Sequence, residues 1–209
     1  MVLGLDIGLV LTLAASLFFI LDPFASLPVF LSVTKGLPPK TVIKYANEAV
    51  LVAAILLFVF ILTGPTLMDI FGVTMASFRV AGGILLLLMA VEIVFDFKIN
   101  KSNDEDSAPW VIVATPILTG PGVITQSILL SNTYGIVSVI LASAIALVIT
   151  WVLLRLSNVI VKAVGTQAIG IFSRIIGLLI AAMGVEYIFE GTIDWFELST
   201  ALIPLLTVV

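Results

Sequence analysis

The 209-residue chain has no cysteine and no histidine, and only 11% of its residues are charged. Each shortage removes a class of chemistry. Without cysteine there are no disulfides, thiol nucleophiles or thiolate metal sites. Without histidine there is no histidine triad or metal–histidine motif. The one side chain that ordinarily titrates near neutral pH is also missing, so proton chemistry falls to carboxylates. Nothing resembles a glycine-rich phosphate loop or a basic nucleic-acid patch, and neither a cofactor nor a metal nor a nucleic-acid partner is expected. A soluble domain carries about a quarter charged residues, whereas this chain is 61% hydrophobic. That balance belongs to a polytopic membrane protein.

Crossing about 30 Å of hydrocarbon takes roughly 20 apolar residues. Stretches of that kind are predicted at 8–33, 43–63, 78–95, 109–131, 135–155 and 170–189. The N-terminus lacks a Lys/Arg n-region and an Ala-x-Ala-like cleavage site, and so reads as a first span. Gly64-Pro65 and Gly72 interrupt the chain before the third span. The most polar stretch, around Asp96 to Ser107, divides the chain nearly in half. Residues 1–97 then form a first three-span unit, 98–107 a cytoplasmic linker, 108–191 a second unit and 192–209 an apolar tail. Eight basic residues (Lys35, Lys40, Lys44, Lys98, Lys101, Arg155, Lys162, Arg174) fall on the odd-numbered loops, against Arg79 alone on the other side. Positive residues stay cytoplasmic, which predicts both termini outside the cell membrane.

From Gly8 to Val33 the only ionisable side chain is Asp22, and it opens the segment Asp22-Pro23-Phe24-Ala25-Ser26-Leu27-Pro28. Each proline removes an N–H donor and crowds the carbonyl four residues earlier. Irregular backbone survives at membrane depth only where protein buries it or a wet cavity lines it. The second half contains Thr115-Pro116-Ile117-Leu118-Thr119-Gly120-Pro121-Gly122, whose prolines both lie 93 residues after Pro23 and Pro28. Arg79 and Gly82 match Arg174 and Gly177 at an offset of 95; Met89, Val91, Glu92 and Phe95 match Met183, Val185, Glu186 and Phe189 at 94. This is an internal duplication. Three spans per half, an odd number, force the second half to enter from the opposite side. The expected architecture is all-α: six transmembrane helices as two inverted three-helix repeats, with the first and fourth helices interrupted at Pro23, Pro28, Pro116 and Pro121.

In inverted-repeat transporters the site lies near the midplane, where interrupted helices meet. Half-helix N-termini suit an anion and unwound carbonyls suit a cation, so a zwitterion finds a place for each end. At mid-span an unpaired, ionised Asp22 would cost about 2.5–3.5 kcal/mol on insertion scales; the competing reading makes it a cap on the second half-helix. Ser26 and Thr119 are equally readable as hydroxyls bonded back to their own carbonyls. Gly82, Gly83 and Gly177 read as packing glycines. Arg79 and Arg174 read as anchors or caps on carbonyls, Asn47 and Glu48 as a surface pair with Lys44, and Gln126 as a wall of the cavity.

The two proline signatures, with Arg79-Val80-Ala81-Gly82-Gly83, resemble those of the MarC/SnatA family of integral membrane proteins, and the likeness covers essentially the whole chain before the tail. The resemblance implies a secondary transporter, not an enzyme, moving small neutral amino acids such as glycine and alanine under an ion gradient. The paired breaks make Asp22, Phe24, Ala25, Ser26, Thr115, Leu118, Thr119, Gly120 and Gly122 the candidate substrate contacts. Asp22 is the candidate for ion coupling, with a proton preferred to sodium. The second signature has Thr115 where the first has Asp22, so only the first half supplies a charge. Membrane lipid is the other expected partner, and a homo-oligomer stays open. The alternatives are a channel or exporter for other small solutes, a membrane enzyme, and a non-transport assembly protein.

Overall fold

Apolar, unbranched and β-branched side chains alternate without strand-like polarity along every long segment, and the backbone answers with helices. The computed structural model describes residues 6–34, 36–95 and 120–206. Eight helices account for them: α1 (Ile7–Leu21), α2 (Pro23–Val33), α3 (Pro39–Phe71), α4 (Met75–Phe95), α5 (Pro121–Tyr134), α6 (Ile136–Arg155), α7 (Ser157–Val164) and α8 (Thr166–Leu206). No strand occurs among the described residues. The described residues fold as helices alone.

Among the described residues, five stretches are long and apolar enough to cross a membrane: Ile7–Leu31, Pro39–Phe71, Met75–Phe95, Ile136–Arg155 and Thr166–Glu197. The sixth expected span, 109–131, lies largely outside the described residues. Its described part is α5, whose 14 residues extend about 21 Å. Leu51, Ile55, Leu62, Ile84, Leu88, Val91, Leu178 and Leu179 face outward from α3, α4 and α8, the disposition required where lipid is the solvent.

The best-packed pair is α4 with α8. A Cβ added at Gly83 would run into the carbonyl oxygen of Gly184, and one added at Gly177 would lie 2.8 Å from Val94 and 3.0 Å from Ile93. Residue numbers rise along one helix as they fall along the other, so the pair is antiparallel. Small residues let the backbones approach, which is how helices associate where no hydrophobic drive separates them from lipid. The sequence reading ended the second unit at Gly191. In the structure α8 runs on through it, because the missing side chain lets α8 lie against α4: a Cβ there would meet the Ala76 carbonyl at 2.7 Å.

Pro65 likewise sits inside α3, and the helix ends only at Gly72, whose φ of +64° supplies the left-handed cap. Around the middle of the bundle, α5 is enclosed by α1, α3, α4 and α6. From Gly122 to Ser131 every residue is buried except half-buried Ile124. A helix shielded from lipid on all sides can carry Thr125, Gln126, Ser127 and Ser131 in its middle, and this one does.

Candidate functional site at the helix break

The first apolar span breaks at one residue. Asp22 caps α1 in the left-handed region, φ 36° and ψ 64°, with its N–H donating to the Phe19 carbonyl. It is the one described non-glycine residue with positive φ. A side chain pays for that conformation unless its polar group can bond locally, as Asp and Asn do. Here Oδ1 accepts the Ala25 N–H at 3.2 Å, capping the first turn of α2. The residue is 3% exposed, and its second oxygen, Oδ2, has no partner. The cap thus uses one oxygen of the carboxylate and leaves the other buried without a partner among the described residues.

Pro23 is the first residue of α2, where its missing N–H costs nothing. Pro28 lies inside α2, which continues through it; the break belongs to Asp22-Pro23 alone. Ser26 is buried and its hydroxyl donates to the Asp22 carbonyl at 3.1 Å. That occupies its proton and leaves its lone pairs free to accept. Phe24 is half-buried and its ring stands edge-on to Phe172 of α8, centroids 4.9 Å apart. Ala25 beside it is half-buried.

In the second signature, Thr115, Pro116, Leu118 and Thr119 lie outside the described residues. Gly120 and Pro121 start α5, and Gly120 is an N-cap without a side-chain hydrogen bond. Among the described residues nothing comes within 4 Å of where its Cβ would stand. Gly122 is different: its Cβ would meet Leu86 and Met89 at 3.0 Å and Ile20 at 4.0 Å. The contact with Ile20 matters most. Gly122 is two residues past Gly120, and Ile20 two residues before Asp22, so the end of α1 and the start of α5 are neighbours.

The sequence marked Gln126 as a cavity wall but not the bond by which it ties the two helices further along. Gln126 is 1% exposed, and its Nε2 donates to Ser16 Oγ of α1 at 3.2 Å while Oε1 has no partner. The run Thr125-Gln126-Ser127 within an apolar segment was the available signal. Gly82 packs on Thr125 of the same helix. Arg79, expected to anchor or to cap carbonyls, pairs instead with two carboxylates of α8, Asp194 at 2.6 Å and Glu190 at 3.7 Å. Lys44 and Glu48 form the expected surface pair at 3.7 Å, but Asn47 accepts from Trp151 Nε1 of α6 at 2.8 Å.

Residues 8–196 match the model of the MarC family, described as integral membrane proteins. The chain belongs to the MarC family. It is an integral membrane protein, and every break residue and pairing described above falls inside the matched range. This MarC-family chain is 32% identical to a UPF0056 membrane protein of Archaeoglobus fulgidus, over 84% of its own length and 88% of the relative's. It is 34% identical to one from Methanocaldococcus jannaschii, over 87% and 86%. A third such protein, from Escherichia coli strain K12, is 30% identical over 84% and 87%. No solved structure matches.

Proposed function

We propose that this MarC-family chain is a secondary transporter of small neutral amino acids of glycine or alanine size, not an enzyme. In this reading it resides in the cell membrane with both termini outside. The observation that carries the reading is the contact of Gly122 with Ile20, which sets two chemically opposite helix ends side by side. At one, a buried carboxylate keeps an unpartnered oxygen, suited to an ammonium group. At the other, a helix begins at Gly120 with no side-chain cap. Pro121 has no N–H and those of Val123 and Ile124 donate to the Gly120 carbonyl, so the Gly122 N–H and the positive dipole end are what suit a carboxylate. A small α-amino acid carries both groups, and at Gly120 no described residue stands in its way. Phe24, Ala25 and the Ser26 oxygen form the near wall, with Thr115, Leu118 and Thr119 assigned to the far wall from sequence.

Inverted three-helix repeats give this site its alternating access. Their support, besides the matched prolines, is the symmetry of the α4–α8 contact. Gly83 packs on Ile188, and Gly177 packs on Ile93 and Val94; moving the first contact on by 94 or 95 residues in one helix and back in the other gives the second. A two-fold relation between halves produces that exchange, whereas unrelated helices have no reason to. Asp22 carries the coupling ion, a proton in preference to sodium.

The test is uptake of labelled glycine and alanine by purified protein in liposomes, under imposed proton and then sodium gradients. Saturable accumulation against a gradient is expected. Flux that never saturates would make the protein a channel, and no flux of either amino acid would overturn the reading.

A further inference from the structure

Three phenylalanines from three helices meet at the break, and the transport reading gives them no task beyond one wall. Phe24 is the second residue of α2, two positions past Asp22. Its ring stands edge-on to Phe18 of α1, centroids 6.0 Å apart and planes at 88°. It also stands edge-on to Phe172 of α8, at 4.9 Å and 71°. Edge-to-face contact is an arrangement that ring quadrupoles favour, and here two such contacts hold one ring. The backbone beneath it is held as well, since Asp22 Oδ1 caps the first turn of α2 through the Ala25 N–H.

The partner on α8 is placed as a brace, not as filling. Phe172 is 45% exposed, on the flank of its helix, so its ring fills no core. Among the described residues its one ring contact is Phe24. Phe24 itself is only half-buried in spite of both contacts, so its ring keeps uncovered surface beside the break. A phenyl ring that can swing aside yields to a larger ligand; one held from two other helices does not. Packed side chains resist displacement, and an apolar pocket discriminates by about ten-fold or more for one methylene group too many.

Resting on the transport reading, we propose that Phe24 sets the upper limit on substrate size and that Phe172, with Phe18, is a positioning residue that fixes its ring. The site then takes neutral amino acids whose side chain is a hydrogen or a methyl group. It turns away ethyl and branched side chains by steric exclusion, which needs no polar group. The limit is shared between the halves of the chain: Phe18 and Phe24 come from the first and Phe172 from the second.

The experiment is calorimetric titration of the whole protein in nanodiscs with glycine, alanine, 2-aminobutyrate and valine. In wild type the affinity should fall by about ten-fold or more between alanine and 2-aminobutyrate, which differ by one methylene. Phe24→Ala and Phe172→Ala should each raise the affinity of 2-aminobutyrate relative to alanine by about ten-fold. Phe172→Tyr, which keeps the ring, should hold the wild-type ratio. A variant that is merely destabilised weakens every ligand together and leaves the ratio where it was, so a folding defect cannot imitate the result. Equal binding of alanine and valine by wild type, or an unmoved ratio in Phe24→Ala, overturns the size limit. A ratio that moves in Phe24→Ala but not in Phe172→Ala, or as far in Phe172→Tyr as in Phe172→Ala, overturns the bracing role. Each of these leaves the transport reading standing, because wild type still binds glycine and alanine. Wild type that binds none of the four overturns that reading and the size limit with it.

Discussion

Gly83 of α4 and Gly184 of α8 meet backbone to backbone: a Cβ on Gly184 would stand 2.8 Å from the Gly83 carbonyl oxygen. Neither side has a flexible side chain that could move aside. The glycines therefore set the distance between two helices that carry the most extensive contact in the fold. They also set the reach of Arg79, which is on the same α4 and bridges to α8.

Gly83→Val or Gly184→Leu should cost at least the 1–3 kcal/mol typical of overpacking, because the obstruction is backbone. Gly170, with nothing near its Cβ position, is the control. Gly170→Ala should be neutral or stabilise by up to about 1 kcal/mol through helix propensity. Thermal unfolding in detergent reads both. Equal midpoints for Gly83→Val and Gly170→Ala would refute the close contact.

Two glycines of the second signature should separate in the same way. Among the described residues nothing crowds Gly120, whereas Gly122 is wedged between Leu86 and Met89. Gly120→Val should fold with a near-native thermal midpoint yet lose glycine binding by more than ten-fold. Gly122→Val should lower the midpoint itself. If stability falls in step with binding in Gly120→Val, that residue is packing and the site has been misplaced.

How much of this was legible in the sequence depended on whether a residue's role was local. Asp22-Pro23 announced a break because a lone acid and a proline in an apolar run have few other reasons to be adjacent, and the break is there. Pro28 looked the same on paper. Yet a proline in the sixth position of α2 forfeits only one hydrogen bond, and neighbouring helices hold the rest of the segment in shape. Gly191 read as a stop but is a contact point for α4, a role set by a helix more than a hundred residues away. The pairing of Arg79 with Asp194 was out of reach for the same reason. The packing roles expected of Gly82, Gly83 and Gly177 were readable because small residues in apolar helices have one dominant use. For α5, composition hid a helix enclosed on all sides, although three consecutive polar residues hinted that no lipid touches it.

Topology is open to direct labelling, since the chain has no cysteine. Single cysteines at Ser102 and at Asn132 should react from opposite faces of sealed vesicles, Ser102 from the cytoplasmic face. Asn132 is exposed near the end of α5, so reagent can reach it. Labelling of both from one side would sink the inverted repeat.

The sharpest expectation concerns Asp22, one of whose oxygens is a cap while the other has no partner among the described residues. Oδ1 caps α2 through Ala25, and asparagine can accept the same bond and tolerate the left-handed backbone. Asp22→Asn should therefore fold with stability within about 0.5 kcal/mol of wild type, a value typical of benign substitutions. Asp22→Ala loses the cap, about 1 kcal/mol, and bears the left-handed conformation unaided, about 1–2 kcal/mol more. If the carboxylate carries the proton, the Asn variant should still exchange labelled for unlabelled glycine across the liposome membrane. It should fail to accumulate glycine when a proton gradient is imposed, because an amide takes up no proton on one side to release on the other. Both rates can be read in the same vesicle preparation. Undiminished proton-driven accumulation by Asp22→Asn would reduce the residue to a helix cap, and a strict sodium requirement in the wild type would move coupling elsewhere.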